Sequence, residues 1–265
     1  TASTMACITE VLGMSLPGSA AIPAVHADRL RLAEACGERA MEMAVSGAPL
    51  PQDIITSKAI ENALRVLLAI SGSTNAVVHL AAIAGRRGIE LSLDEINRIS
   101  DETPVLVNLK PTGEHYMQDL FAAGGLTAVL HELKHQLHLD CSTVTGETLG
   151  DWLSEKPKWV DRDVVREFNN PYQKEGGLIA LFGTLAPTGA ILKRAAADAD
   201  LFERTGRAVV FESLEDLSDR IDSDDLDVSP NDFLLLKNAG PKSKSCMPEA
   251  GYLPIPKKLA AKGVK

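Results

Sequence analysis

From the start of the chain to about Leu153, apolar positions recur every three or four residues, the spacing that keeps one side of an α-helix against a core. Residues 28–46 set Leu30, Leu32, Ala35, Ala40 and Met43 against Arg31, Glu34, Glu38, Arg39 and Glu42, which predicts an amphipathic helix closed by Gly47. Residues 57–70 predict a second helix, and 75–84 a third that is apolar enough to be buried on most sides. In Ser92-Leu93-Asp94-Glu95 the Ser hydroxyl and Glu carboxylate have the spacing that satisfies free amides at a helix start, so a helix is expected over 92–100 and Pro104 stops it. Val105-Leu106-Val107 is expected as a short buried strand.

Beyond Glu175 the rhythm changes. Residues 177–185, 189–193, 208–211 and 233–237 are short apolar runs separated by Gly, Pro and acidic turns, and they read as strands, with a helix over 212–221. The acidic stretch 222–232 reads as a solvated face rather than a cation site. Between the two regions, 156–175 is rich in Lys, Asp, Arg and Asn and carries Pro157 and Pro171, which suits a solvated linker. The expected fold class is therefore α/β, with a helix-rich domain over 1–155 followed by a mixed β domain over 176–265.

Composition narrows the function classes. The chain has 265 residues and 45% hydrophobic residues, enough for a substantial core, and a net charge of −9 that would repel nucleic acid. No apolar run reaches the roughly 20 residues that cross a bilayer, so a membrane partner is not expected. Cys7, Cys36, Cys141 and Cys246 form no CxxC pair, and a reducing cytoplasmic setting is the simplest reading. Thr1 falls inside a predicted helix and neither end carries a terminal signature, so the sequence reads as an internal fragment.

Four segments carry candidate chemistry. His131-Glu132-Leu133-Lys134-His135 matches the HExxH pattern of zinc hydrolases, with His131 and His135 as ligands. The buried stripe of that helix, Leu126, Val129, Leu130, Leu133 and Leu137, leaves the histidines on the opposite, wetter side, which favours incidental surface residues. Ser71-Gly72-Ser73-Thr74-Asn75 joins two apolar helices; it suits either an anion held by helix-start amides and side chains or a plain N-cap turn. Residues 108–114 leave the expected strand as a polar loop, where α/β folds place ligand-contacting groups and where ordinary turns also occur. Met247-Pro248-Glu249 holds one carboxylate in a Pro-stiffened loop, suited to a divalent cation bound through oxygen.

Taken together, Thr1-Ala2-Ser3-Thr4-Met5, Gly72-Ser73-Thr74-Asn75-Ala76-Val77, Leu109-Lys110-Pro111-Thr112-Gly113, Leu185-Ala186-Pro187-Thr188-Gly189-Ala190 and 238–249 resemble the dihydroxy-acid and phosphogluconate dehydratase family along almost the whole chain. The opening Thr-Ala-Ser-Thr-Met is similar to the sugar-acid branch, whereas the branched-chain dihydroxy-acid enzymes usually carry Asn in place of Ser3. The resemblance implies a hydro-lyase that converts a 2,3-dihydroxy (sugar) acid to a 2-keto-3-deoxy acid. It also implies a C-terminal β-barrel-like domain, an iron–sulfur cluster whose cysteines precede Thr1, and magnesium (Mg2+) bound through Glu249. The family's catalytic serine would lie beyond Lys265, so no catalytic residue is expected within the chain and the fragment alone should be inactive. Ser73, Thr74 and Asn75 are the substrate-pocket candidates, the implied partner is a small hydroxy acid, and family habit implies a homodimer or homotetramer at full length.

Overall fold

The computed structural model describes residues 3–243 and 252–264. Two compact units divide the chain, one running through Ala196 and the other starting at Ala197.

The first unit is built around α4 (Ser57–Ala69), which follows α1 (Thr4–Val11), α2 (Ala27–Ser46) and the short α3 (Pro51–Ile54). Thr56 begins α4 by accepting the Ala59 amide at 3.2 Å, the expected use of an N-cap hydroxyl. Leu64, Val66, Leu67 and Leu68 are fully buried, because α4 packs against α1, α5 (Asn75–Arg86), α6 (Leu93–Glu102) and α8 (Gly125–Leu133). Enclosed in this way, α4 buries two polar side chains, Asn62 and Arg65, along with its apolar stripe. Its buried Arg65 is held by Glu61 at 2.9 Å and Glu102 at 3.1 Å. The short helices α7 (Met117–Ala122) and α9 (Leu149–Trp152) complete the helical layer.

Two helices differ from expectation in burial. α5 buries one face through Ala76, Val77, Leu80 and Ala84, while His79, Ala81 and Ala82 are exposed; alanine is small enough to sit in water at little cost. α2 forms over the expected residues and ends at Gly47 (φ 72°), yet none of its residues is buried. It is tied down at few points, among them Arg39 Nε, which donates to the Val144 carbonyl at 2.5 Å, and the His26 ring against the edge of Phe121.

Val105-Leu106-Val107 is buried as expected, but it makes isolated β-bridges instead of the expected strand. Its partner is the segment expected as a linker: Val105 bridges Gln173 and Val107 bridges Val165, with the Arg166 amide donating to Leu106 O at 2.8 Å. Val164 and Val165 are buried among the charges around them, so 156–175 is packed on the first unit rather than solvated throughout. The strand pair β1 (Ile179–Leu181) and β2 (Ala190–Leu192) is antiparallel and lies against α6. Asn97 mimics a neighbouring strand there, giving Nδ2 to Ala180 O at 2.9 Å and accepting the Ala180 amide at 2.7 Å.

In the second unit β3 (Ala208–Phe211) and β4 (Phe233–Leu236) pair in parallel, joined through α10 (Leu214–Arg220), as a parallel pair requires a crossover; α11 (Lys257–Ala260) follows. Phe211, Val209, Leu217, Ile221 and Leu226 form its core. The acidic stretch is held in ion pairs, with Asp232 on Arg207 at 2.8 Å, Asp227 on the same guanidinium and Asp222 on Lys257 at 2.8 Å. The molecule is thus a mixture of helices and small sheets, and among the described residues the strands form two-stranded sheets without a closed barrel.

Candidate functional site: a cationic, hydroxyl-lined cleft

The first unit contains a cleft of about 520 Å3, within the size range of small-molecule sites. Four parts of the sequence meet around it: the start of α1 at Ser3 and Thr4, the 70–74 turn between α4 and α5, the 109–111 loop with Tyr116, and Lys193 just past β2.

The turn owes its shape to close packing. A Cβ at Gly72 would stand 2.6 Å from both Leu67 Cδ1 and Thr4 Cγ2, so no larger residue fits without a shift. Ser71 before it is held at φ 47°, a left-handed conformation that costs a non-glycine residue about 1–2 kcal/mol. The Ser73 amide then donates to Thr4 Oγ1 at 3.1 Å, which fastens the turn to the start of α1.

Of the pocket candidates, Ser73 and Thr74 line the cleft, whereas Asn75 is buried and its Oδ1 has no hydrogen-bond partner among the described residues. The helix-start amides are occupied: Asn75 N donates to Ser73 Oγ at 3.2 Å, Ala76 N to Ser73 O and Val77 N to Thr74 O. Local turn bonds occupy these amides, although Thr74 at the N-cap makes no side-chain cap bond, and the positive charge in the cleft comes from two lysines. Lys110 donates Nζ to the Tyr116 hydroxyl at 2.8 Å and lies 4.3 Å from that ring's centre. Lys193 donates Nζ to Gly72 O at 3.1 Å, and its burial pulls its pKa below the ordinary lysine value. Sequence reasoning missed Lys193, because only the β1–β2 hairpin brings it to the turn.

No carboxylate, imidazole or thiol lines the cleft among the described residues, and these residues contain no cluster of three or more His, Cys, Asp or Glu side chains able to hold a metal ion. Hydroxyls and ammonium groups are a donor set for an anion, so the described lining does not fit magnesium or an iron–sulfur cluster. Glu249 and Cys246 lie outside the described residues. The Cys7 thiol is pushed up to about 12 by burial and the nearby Glu10, and burial raises Cys141 as well, so both stay protonated; Cys36 is exposed.

The HExxH pattern is taken up by structure. α8 ends at Leu133 and 134–136 continue as a 3-10 turn, so His135 does not follow His131 along one helical face. His131 Nε2 donates to Glu155 O at 2.8 Å, and burial lowers its pKa, which favours the neutral ring. Glu132 accepts from Arg162 at 2.8 Å and from the Phe168 amide at 3.1 Å, while His135 packs edge-on against Phe168. These bonds staple the 155–168 segment to α8 and correct the zinc-hydrolase reading.

Residues 1–152 match the model of the dihydroxy-acid/6-phosphogluconate dehydratase N-terminal domain, and 163–265 match that of the C-terminal domain. An L-arabinonate dehydratase of Rhizobium leguminosarum bv. trifolii is 45% identical over 257 residues, covering 96% of this chain and 44% of the relative. A dihydroxy-acid dehydratase of Caldicellulosiruptor saccharolyticus is also 45% identical, over 94% of this chain and 45% of its own length. A 6-deoxy-6-sulfo-D-gluconate dehydratase of Pseudomonas putida is 40% identical over 100% of this chain and 46% of its own. The chain therefore spans about half the length of the curated relatives it matches, and it belongs to the dihydroxy-acid/6-phosphogluconate dehydratase family.

Proposed function

We propose that the protein is a hydro-lyase that removes water from a 2,3-dihydroxy sugar acid to give a 2-keto-3-deoxy acid. The observation that carries this reading is the lining of the cleft: hydroxyls from Ser3, Thr4, Ser73, Thr74 and Tyr116 together with the ammonium groups of Lys110 and Lys193. Such a lining hydrogen-bonds a polyol and neutralises a carboxylate, whereas the acid of branched-chain biosynthesis would present two methyl groups to it. The relatives named for L-arabinonate and sulfogluconate support a sugar acid. The equally similar dihydroxy-acid dehydratase keeps the branched-chain acid as the second reading.

Within the cleft this chain's own groups bind and orient. The 71–74 turn offers Ser73 and Thr74 to substrate hydroxyls, and its attachment to Thr4 and Lys193 keeps those oxygens in place. The acid and base steps, the iron–sulfur cluster and magnesium fall to residues other than those described; we assign Glu249 to magnesium on the family resemblance. The 163–265 match to the C-terminal domain supports reading β3, α10 and β4 as part of a barrel-like domain. It also supports a domain boundary within 156–175.

The test is dehydration by the protein expressed at the full length of its gene. L-arabinonate, 6-deoxy-6-sulfo-D-gluconate and 2,3-dihydroxy-3-methylbutanoate are each supplied, and the 2-oxo acid is trapped as its semicarbazone. Turnover of a sugar acid with little of the branched acid is expected; the reverse preference overturns the substrate assignment, and no product from any acid overturns the reading.

A further inference from the structure

We propose that Lys193 is the anion receptor of the cleft, its ammonium taking the carboxylate of the bound acid and so setting the acid's position against the 71–74 turn.

Two neighbouring cations show why. Arg194 pairs with Glu175 at 2.9 Å, donates to Gly176 O at 3.0 and 3.1 Å and reaches Ser100 Oγ at 3.1 Å. It is neutralised and serves the packing of the hairpin. Among the described residues Lys193, one residue earlier, has a single hydrogen bond, to Gly72 O, and no carboxylate offsets its burial. Withdrawing an ammonium from water without a counter-charge costs stability. Fixing the Gly72 carbonyl needs only a neutral donor, so the charge itself is unexplained by the fold. The ammonium has three donors and the Gly72 carbonyl uses one, which leaves two for a ligand. That bond also aims the nitrogen into a cleft whose described lining has no carboxylate to compete. An anionic ligand supplies what is missing, and a charge-assisted bond to it is stronger than the neutral bonds of the surrounding hydroxyls.

The inference rests on the hydroxy-acid reading only for the identity of the anion. The test uses the 265-residue chain and two probes, glycerate as the smallest 2,3-dihydroxy acid and glycerol as its uncharged counterpart, followed by NMR titration. The wild-type chain is expected to bind glycerate at least tenfold more tightly than glycerol. Lys193→Gln keeps a donor for Gly72 O but lacks the charge; it should lose that tenfold preference while its Tm stays the same or rises. Lys193→Arg should recover most of the preference. If the glutamine variant unfolds, Lys193→Met is judged by the same two measurements, and unfolding of both variants overturns the proposal because it shows a structural role. Glycerate binding unchanged in the glutamine variant, or absent in the wild type, overturns it too. Failure here is separable from failure of the hydro-lyase reading: a full-length protein that dehydrates sugar acids while glycerate binding ignores Lys193 sinks only this inference. Lys193-dependent binding without dehydration sinks only the other.

Discussion

At the scale of single residues, one buried carboxyl on α1 and one crowded glycine in the cleft's turn carry testable consequences. Glu10 on α1 is 1% exposed and accepts from the Gly18 amide at 2.9 Å, the Ala20 amide at 2.5 Å and Ser19 Oγ at 3.2 Å. Burial raises its pKa more than these donors lower it. A carboxyl whose folded pKa lies above its unfolded value makes the fold more stable below that unfolded value, near 4.5, and less stable as pH rises through the folded one. Glu10→Gln should abolish that slope in urea-denaturation midpoints. It should also destabilise at neutral pH by about 1–3 kcal/mol, since an amide cannot accept all three donors. Gly72→Ala should cost a similar amount, about 1–3 kcal/mol by the same denaturation, through overpacking against Leu67 and Thr4. The polar run at 71–75 marked this turn in the sequence, but its amides could not be assigned from residue types, because whether Ser73 caps inward or faces a ligand depends on backbone angles. Lys193 was illegible for a different reason: nothing local distinguishes it from a solvated lysine, and its burial comes from residues 121 positions away.

Among elements, period-based reasoning worked where one side chain in three or four had to be buried. The positions of α4 and α6 follow from their apolar stripes, and Ser92 caps α6 by accepting the Glu95 amide at 3.1 Å. Glu95 does not complete a reciprocal bond; it pairs with Arg98 at 2.6 Å, a stronger charge-assisted contact available along the same helix. Period failed to say which stripe is used. α2 has the expected pattern, but its side chains remain largely in water, and Gly37 in its middle meets nothing where a Cβ would be. Gly37→Ala should therefore raise stability by about 0.5–1 kcal/mol, the usual difference in an open helix interior, seen as a higher denaturation midpoint. The HExxH segment is the converse lesson, since the pattern specifies five residues but not where the helix stops.

Over the whole molecule, charge is distributed unevenly. A chain of net charge −9 gathers cations in one cleft of its first unit and uses others to hold the acidic loop of its second. Asp216, Asp222, Asp227 and Asp232 have pKa values lowered chiefly by bonds to Arg207, Lys257 and the Glu212 amide. For such groups the stabilisation is present above the unfolded value of 3.8 and disappears as pH falls through the lower folded values. The circular-dichroism signal of the second unit should thus persist to pH 4 and weaken below it. Added salt should lessen the effect, because these pairs are open to solvent. Parallel pairing of β3 with β4 was hidden from the sequence because strand direction depends on where the intervening helix packs, which short apolar runs do not encode.

The contrast between an enclosed α4 and an α2 fastened at a few points has a kinetic corollary. Backbone amides swap hydrogen for solvent deuterium only when their helix opens, and opening α4 means breaking the central packing, whereas α2 needs to release little more than the Arg39 and His26 attachments. Mass-spectrometric labelling should find peptides from 27–46 deuterated long before those from 57–69, and equal uptake would mean that α2 is covered in solution.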